Sequence, residues 1–196
     1  MGIIRTDEAA AWARASSGDG AAFASIFDEH RARVFRHAYR LLVDTTDAED
    51  ATAIAFLELW HRRRSVALVN GSVLPWLLVT VTNAARNLSR GRGRYRTLLA
   101  ALPHGEHPSS AEDVALRDVI EDQRLAEALG RLSPADLHLV TLVMIEGYSP
   151  TDAAPLLGLS AGATRTRLHR ARAALRDKLG HPTLSLYIQS TLGDPS

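Results

Sequence analysis

From Ser149 to Leu179 helix punctuation and helix periodicity alternate as a pair of helices set across a tight corner requires. Ser149 can cap a helix whose first turn holds Pro150, where proline sacrifices no hydrogen bond, and Asp152 stands three residues on, as in a capping box. Gly158 supplies a left-handed stop, Leu159 can plug the corner, and Ser160 can cap the next helix. Along that helix Thr164, Leu168, Ala171, Leu175 and Leu179 recur at helical spacing and form one narrow apolar stripe. Away from the stripe lie Thr166, Arg167, His169 and Arg170, with Arg165 on its edge. Between Ser160 and Gly180 six cations (Arg165, Arg167, Arg170, Arg172, Arg176, Lys178) face one acid, Asp177. Such a helix suits phosphates and base edges in a major groove, although a solvated basic helix would carry the same composition.

Charge elsewhere is segregated in a way that a formal net charge of +1 conceals. Residues 41–61 hold five acids and no Lys or Arg. Residues 59–105 hold no Asp or Glu and eight arginines, and acid returns over 106–122. To a polyanion, patches of charge matter more than totals. The arginine-rich segment begins at Trp76, and Asn83, Arg86, Asn87, Arg90 and Arg94 follow one another at three- or four-residue steps on one helix face. Asn can pair two-pronged with adenine and Arg with guanine or phosphate; Trp60, Trp76 and Tyr95 could stack on unpaired bases or simply fill a core. The acidic segment sets Asp44, Asp47, Glu49 and Asp50 before the apolar run through Phe56, Leu57 and Trp60. That pattern fits a docking helix for a partner and fits equally well acids placed to favour a helix N-terminus.

Helical periodicity runs through nearly the whole chain, with no alternating strand pair, so the expected fold class is all-α. A first helix is expected over 7–15 and a second from Asp19 or Gly20, burying Phe23, Ile26, Phe27, Val34, Ala38, Leu41 and Leu42. A third should open at a capping box at Thr46 and end near Arg64. Residues 65–73, with Asn70-Gly71-Ser72, read as a loop. Pro75 then sits in the first turn of a fourth helix, which Gly91 and Gly93 should stop near Arg90. Residues 102–110 carry two prolines and a glycine without periodicity and read as linker. Helices over 112–131 and from Ser133-Pro134 precede the final pair, and Pro155 leaves the first helix of that pair either short and kinked there or starting later than Ser149-Pro150 suggests. At 196 residues and 46% apolar, the chain suffices for two small domains, each with a core of its own.

Enzyme chemistry finds little footing. The absence of cysteine excludes disulfides, thiolate catalysis and thiolate metal sites. Gly91-Arg92-Gly93 lacks the rest of a phosphate loop, and His104 and His107 lie in the linker without further ligand spacing. No cofactor, metal or small-molecule substrate is expected. Without a charged-then-apolar leader or an apolar run of membrane length, the expectation is a soluble cytoplasmic protein without membrane insertion.

Taken in order, Asp47-Ala48-Glu49-Asp50 running into Phe56-Leu57-Glu58-Leu59-Trp60, then Pro75-Trp76-Leu77 with Asn83 and an arginine tail, a linker, Leu132-Ser133-Pro134, Gly147-Tyr148-Ser149, Leu157-Gly158-Leu159-Ser160 and Arg167-Leu168-His169-Arg170-Ala171-Arg172 form a recognisable series. It resembles a bacterial sigma-70-family sigma factor of the extracytoplasmic-function (ECF, group IV) type, over residues 19–179. The resemblance implies two small helical domains joined by a flexible linker: a sigma-2-like domain over 1–101, the linker at 102–111, and a four-helix sigma-4-like domain over 112–180 ending in a helix-turn-helix. Residues 181–196 form a tail. It further implies that Asp47, Glu49, Asp50, Phe56, Leu57 and Trp60 dock on core RNA polymerase, at the clamp of its largest subunit, with further contact at the flap region. Asn70, Trp76, Asn83, Arg86, Asn87 and Arg90 would engage the −10 element of promoter DNA. Arg165, Thr166, Arg167, His169 and Arg170 would engage the −35 element. An anti-sigma partner is implied as well. The competing readings are a stand-alone helix-turn-helix regulator, which would leave the N-terminal half without a task, and an adaptor binding RNA or an acidic protein.

Overall fold

Asp19, Asp44, Ser133, Ser149 and Ser160 each stand just before a helix with an oxygen turned onto a free backbone N–H, and they divide the chain into its elements. The computed structural model describes residues 8–100 and 116–179, with side chains described for 8–91 and 123–179. The expected linker at 102–111 and tail at 181–196 lie outside the described residues, as do the side chains of Arg94 and Tyr95. All the described regular structure is helical apart from a lone bridge between Val69 and Ser72.

The N-terminal domain comprises α1 (Glu8–Ser16), α2 (Gly20–Leu42), α3 (Thr45–Arg62) and α4 (Leu74–Ala100). The cap of α3 is Asp44, whose Oδ1 accepts from Asp47 N at 2.9 Å; the expected capping box at Thr46 is displaced because α3 starts two residues earlier. Between α2 and α3 the chain reverses at Val43, a β-branched residue held at φ +50° whose N–H bonds Tyr39 O at 2.7 Å. α4 does not stop at Arg90: it continues through Gly91 and Gly93 to Ala100. Two helical glycines cost about 1 kcal/mol each against alanine, and the helix-forming residues around them absorb that. The core joins Ile26, Val34 and Ala38 of α2 to Ala51, Phe56 and Leu59 of α3 and Leu77, Leu78 and Val81 of α4. α1 covers one side with Ala11, Trp12 and Ala15, and Trp12 Nε1 donates to Val66 O at 3.3 Å.

Glu8 is the second tie of α1. Its carboxylate accepts from Val73 N at 2.7 Å and Ser72 Oγ at 3.0 Å, and lies 3.0 Å from His30 Nε2. Burial opposes its ionisation, but His30, the Val73 amide and Ser72 outweigh it and hold its carboxyl below the usual range. Ser72 Oγ also accepts from Leu74 N and so caps α4.

The C-terminal domain contains α5 (Leu116–Gly130), α6 (Pro134–Leu139), α7 (Pro150–Leu156) and α8 (Ala161–Leu179). α6 runs on as a wide π-helical turn, Val140–Ile145, closed by Glu146 N on Thr141 O and Tyr148 N on Leu142 O. The turn buries Thr141, Leu142, Met144 and Ile145 together, which no 3.6-residue pattern would group. Of the two alternatives for Pro155, α7 takes the short helix: it starts at Pro150 and ends one residue after Pro155. Leu159 N then reaches Ala154 O, Gly158 N reaches Pro155 O, and Gly158 holds φ +61°, which is a Schellman corner.

The two domains pack against one another. α5 packs on α2, and α4 packs on α6, the π-helical turn and α7. The buried apolar residues of both halves form one continuous cluster. Leu41 and Ala85 of one half and Leu137 of the other face a shared cavity at the seam.

Candidate nucleic-acid interface

α8 presents the first face. Thr164, Leu168, Ala171 and Leu175 are buried against the domain, as the stripe requires, and Arg165, Thr166, His169 and Arg170 project outward and are exposed. Ser160 Oγ accepts from Ala163 N at 3.2 Å and fixes where the helix begins. Arg167 sits on the flank, with its guanidinium 3.2 Å from Asp136 Oδ1, so it braces α8 on α6 while Arg165 and Arg170 stay open to a ligand. Exposed guanidiniums on a helix held only from behind can enter a groove and pair with phosphate or guanine.

α4 and the loop before it present the second face. Asn70 (φ +54°) and Gly71 (φ +79°) are the two central residues of a tight turn closed by Val69 N on Ser72 O and Ser72 N on Val69 O. Asn83, Asn87 and Arg90 are exposed on α4, while Trp76 is half-buried against the core. Three residues expected to meet nucleic acid instead touch the C-terminal domain. Arg86 Nη1 donates to Leu132 O at 2.9 Å, Asn83 Oδ1 lies 3.1 Å from His138 Nε2, and Asn70 Nδ2 donates to Asp152 Oδ2 at 3.0 Å. Burial, then the neighbouring Arg90, lowers the Arg86 pKa. Burial and next Arg86 push His138 down to about 4. Just beneath, fully buried His37 bonds Thr82 Oγ1 at 2.9 Å; the Thr82 hydroxyl donates to Leu78 O, so the ring donates from Nε2. Burial, Arg40 and His138 push His37 down to about 3.

The third face is the outer side of α3. Glu49, Asp50 and Leu57 are exposed, Leu57 by 56% and its neighbour Ile54 by 41%. Beside them Phe27, Arg31, Phe35, Glu49, Thr52 and Ala53 line an open groove between α2 and α3. Phe56 does not share that surface: it is buried with its ring edge-on to Phe27 at 4.7 Å, and so shapes the groove from below. Trp60 is half-buried, edge-on to Phe23 at 5.0 Å and with the Arg63 guanidinium 4.2 Å over its ring.

A model of sigma-70 region 2 matches residues 26–95, and one of sigma-70 region 4 matches residues 122–175. The RNA polymerase sigma factor CarQ of Myxococcus xanthus is 33% identical over 174 residues, 86% of this chain and 96% of that protein. The chain belongs to the extracytoplasmic-function sigma factors of the sigma-70 family. The ECF RNA polymerase sigma factor SigE of Mycolicibacterium smegmatis is 37% identical over 172 residues, although the chain spans only 65% of that protein's length. A solved structure of CnrH in complex with the cytosolic domain of CnrY matches with a TM-score of 0.61 at 26% identity, covering 87% of this chain and 96% of that one. In this sigma factor, region 2 thus spans most of α2, α3 and most of α4, and region 4 ends on α8. No helix among the described residues is long and apolar enough to cross a membrane.

Sequence reasoning missed the residues that join the two regions. Arg33 donates from Nε and Nη2 to Glu146 Oε2, across 113 positions of sequence. Nothing in local spacing marks that pair, nor Asp152 as a partner of Asn70, because the helix cap alone accounts for Asp152.

Proposed function

We propose that this sigma factor joins core RNA polymerase and directs it to promoters by dividing the labour between its three faces. α3 docks on the polymerase clamp through Asp47, Glu49, Asp50 and Leu57, with Phe56 and Trp60 supporting that surface from behind, while the C-terminal domain meets the flap region. Arg165, Thr166, His169 and Arg170 read the −35 element from the major groove, with Arg167 as their brace. Asn70, Asn83, Arg86, Asn87 and Arg90 engage the −10 element, beside Trp76. Opening the duplex needs no catalytic side chain on this reading, because contacts to unpaired bases offset an unstacking cost of a few kcal/mol. An anti-sigma factor completes the partners; the match to CnrH, solved with the cytosolic domain of CnrY, supports that part.

The observation that carries the reading is the exposed cationic face of α8, mounted on a Schellman corner in a chain that also carries region 2. A stand-alone regulator would use α8 alone and leave α3's apolar outer side without a function. The test is run-off transcription with core enzyme on genomic promoter fragments, alongside polymerase binding. Arg165→Ala with Arg170→Ala should abolish promoter choice and leave polymerase binding intact; an equal fall in both would end this division of labour.

A further inference from the structure

Three contacts between regions 2 and 4 share one chemical pattern. Region 4 supplies acceptors, namely the Glu146 carboxylate, the Asp152 carboxylate and the Leu132 carbonyl, and region 2 supplies the donors Arg33, Asn70 and Arg86. Phosphate oxygens would make the same demands of those donors. The Asn83 contact runs the other way: its Oδ1, 3.1 Å from His138 Nε2, is the amide's acceptor. The Glu146 side chain is 1% exposed, against 47% for Arg33, so the pair sets a buried carboxylate against a half-exposed guanidinium. Between the regions lies a cavity of about 100 Å³, lined by Leu41, Ala85 and Ser89 on one side and Ala126, Gly130 and Leu137 on the other.

We propose that the chain inhibits itself: region 4 lies on the −10 face of region 2 as an internal substitute for nucleic acid, the Arg33–Glu146 pair is the latch, and only the opened molecule binds DNA there. This rests on the reading of α4 as the −10 face. The Asn70 Nδ2–H and Arg86 Nη1–H bonds given to region 4 are not at the same moment available to phosphate or base. Apparent affinity is therefore reduced by the fraction of molecules that is open.

The latch is tested by charge reversal in the full-length chain. Arg33→Glu sets two carboxylates together, and Glu146→Arg sets two guanidiniums together; the double swap restores an ion pair and the native net charge. Small-angle scattering reads opening, and a short fluorescein-labelled single-stranded oligonucleotide of mixed sequence reads the freed face. Both single variants should expand and bind the oligonucleotide about tenfold more tightly, and the swap should return both quantities to within about twofold of the native chain. The two single variants change net charge in opposite directions, so a shared gain cannot come from charge alone. Expansion without tighter binding, or a swap that restores neither quantity, overturns the proposal. If a single variant fails to fold, a bridge decides the matter. The chain has no native cysteine, so Arg33→Cys with Glu146→Cys can be joined by a short cleavable bis-maleimide. Bridging should suppress oligonucleotide binding and cleavage should restore it; equal binding in both states overturns the latch. Run-off transcription with core enzyme separates the two claims. If unlatching frees oligonucleotide binding but neither the native nor the opened chain initiates, the sigma-factor reading fails and self-inhibition stands.

Discussion

Replacing His37 with Gln should remove half of an unusual acid sensitivity centred on the junction of the regions. His37 is fully buried and its pKa is pushed from near 6.5 to about 3; His138, 7% exposed, is pushed to about 4. Both folded values lie below the unfolded one, so the unfolded chain binds more protons and stability falls as pH drops below about 6.5. The loss from His138 is complete near pH 4 and that from His37 near pH 3. Each ring contributes about 1.4 kcal/mol per pH unit within its window, so by about pH 5 each has lost about 2 kcal/mol and together they have lost about 4. Against a typical total of about 5–15 kcal/mol that is a large share. The carboxylates with lowered values, Glu8 and Asp152, begin to matter only below their ordinary 4.5 and 3.8, which leaves the range above pH 5 to the histidines. Gln can still donate to Thr82 Oγ1 and takes up no proton. Urea unfolding followed by circular dichroism at stepped pH should therefore give a slope near 2.7 kcal/mol per unit for the native chain and about half that for His37→Gln. Equal slopes would refute the argument that burial at this junction excludes the charged ring.

Two other perturbations follow from local geometry. Gly158→Ala meets no atom within 4 Å but must hold φ +61°, so it should lose about 1–2 kcal/mol in the same unfolding assay, whereas Gly91→Ala, equally unhindered inside α4, should gain about 0.5–1. A loss at Gly91 would show that α4 does not run through that position. Leu57→Asp should weaken polymerase binding about tenfold or more and move stability by no more than about 0.5 kcal/mol, and charge reversal at Asp47 and Asp50 should weaken binding as much at a larger cost in stability, because Asp47 lies partly buried in the first turn of α3; unchanged binding would move the docking surface off α3.

Helix starts were legible because a cap needs only a side-chain oxygen within reach of the next few amides. Ser133, Ser149 and Ser160 cap where their spacing predicts. The exposed row of Arg165, Thr166, His169 and Arg170 followed from the apolar stripe for the same reason, since a helix that buries Thr164, Leu168 and Leu175 must turn those residues outward. Where two local signals competed, the reading slipped. Asp44 won the cap from Thr46, and helix-forming neighbours carried α4 past two glycines. The π-helical turn had no sequence signature, because its five-residue bonds break the period that reveals a helix.

Residue type and spacing therefore determined the all-helical fold, the positions of its corners and the outward face of α8, each a matter of contacts within one or two turns. Tertiary structure alone decided that Phe56 lies under a surface rather than on it, that Arg167 braces α8, and that Asn70, Asn83 and Arg86 meet region 4. Those outcomes depend on partners far apart in the chain, such as Arg33 and Glu146, and no local pattern constrains which distant acceptor a buried or half-buried donor will find.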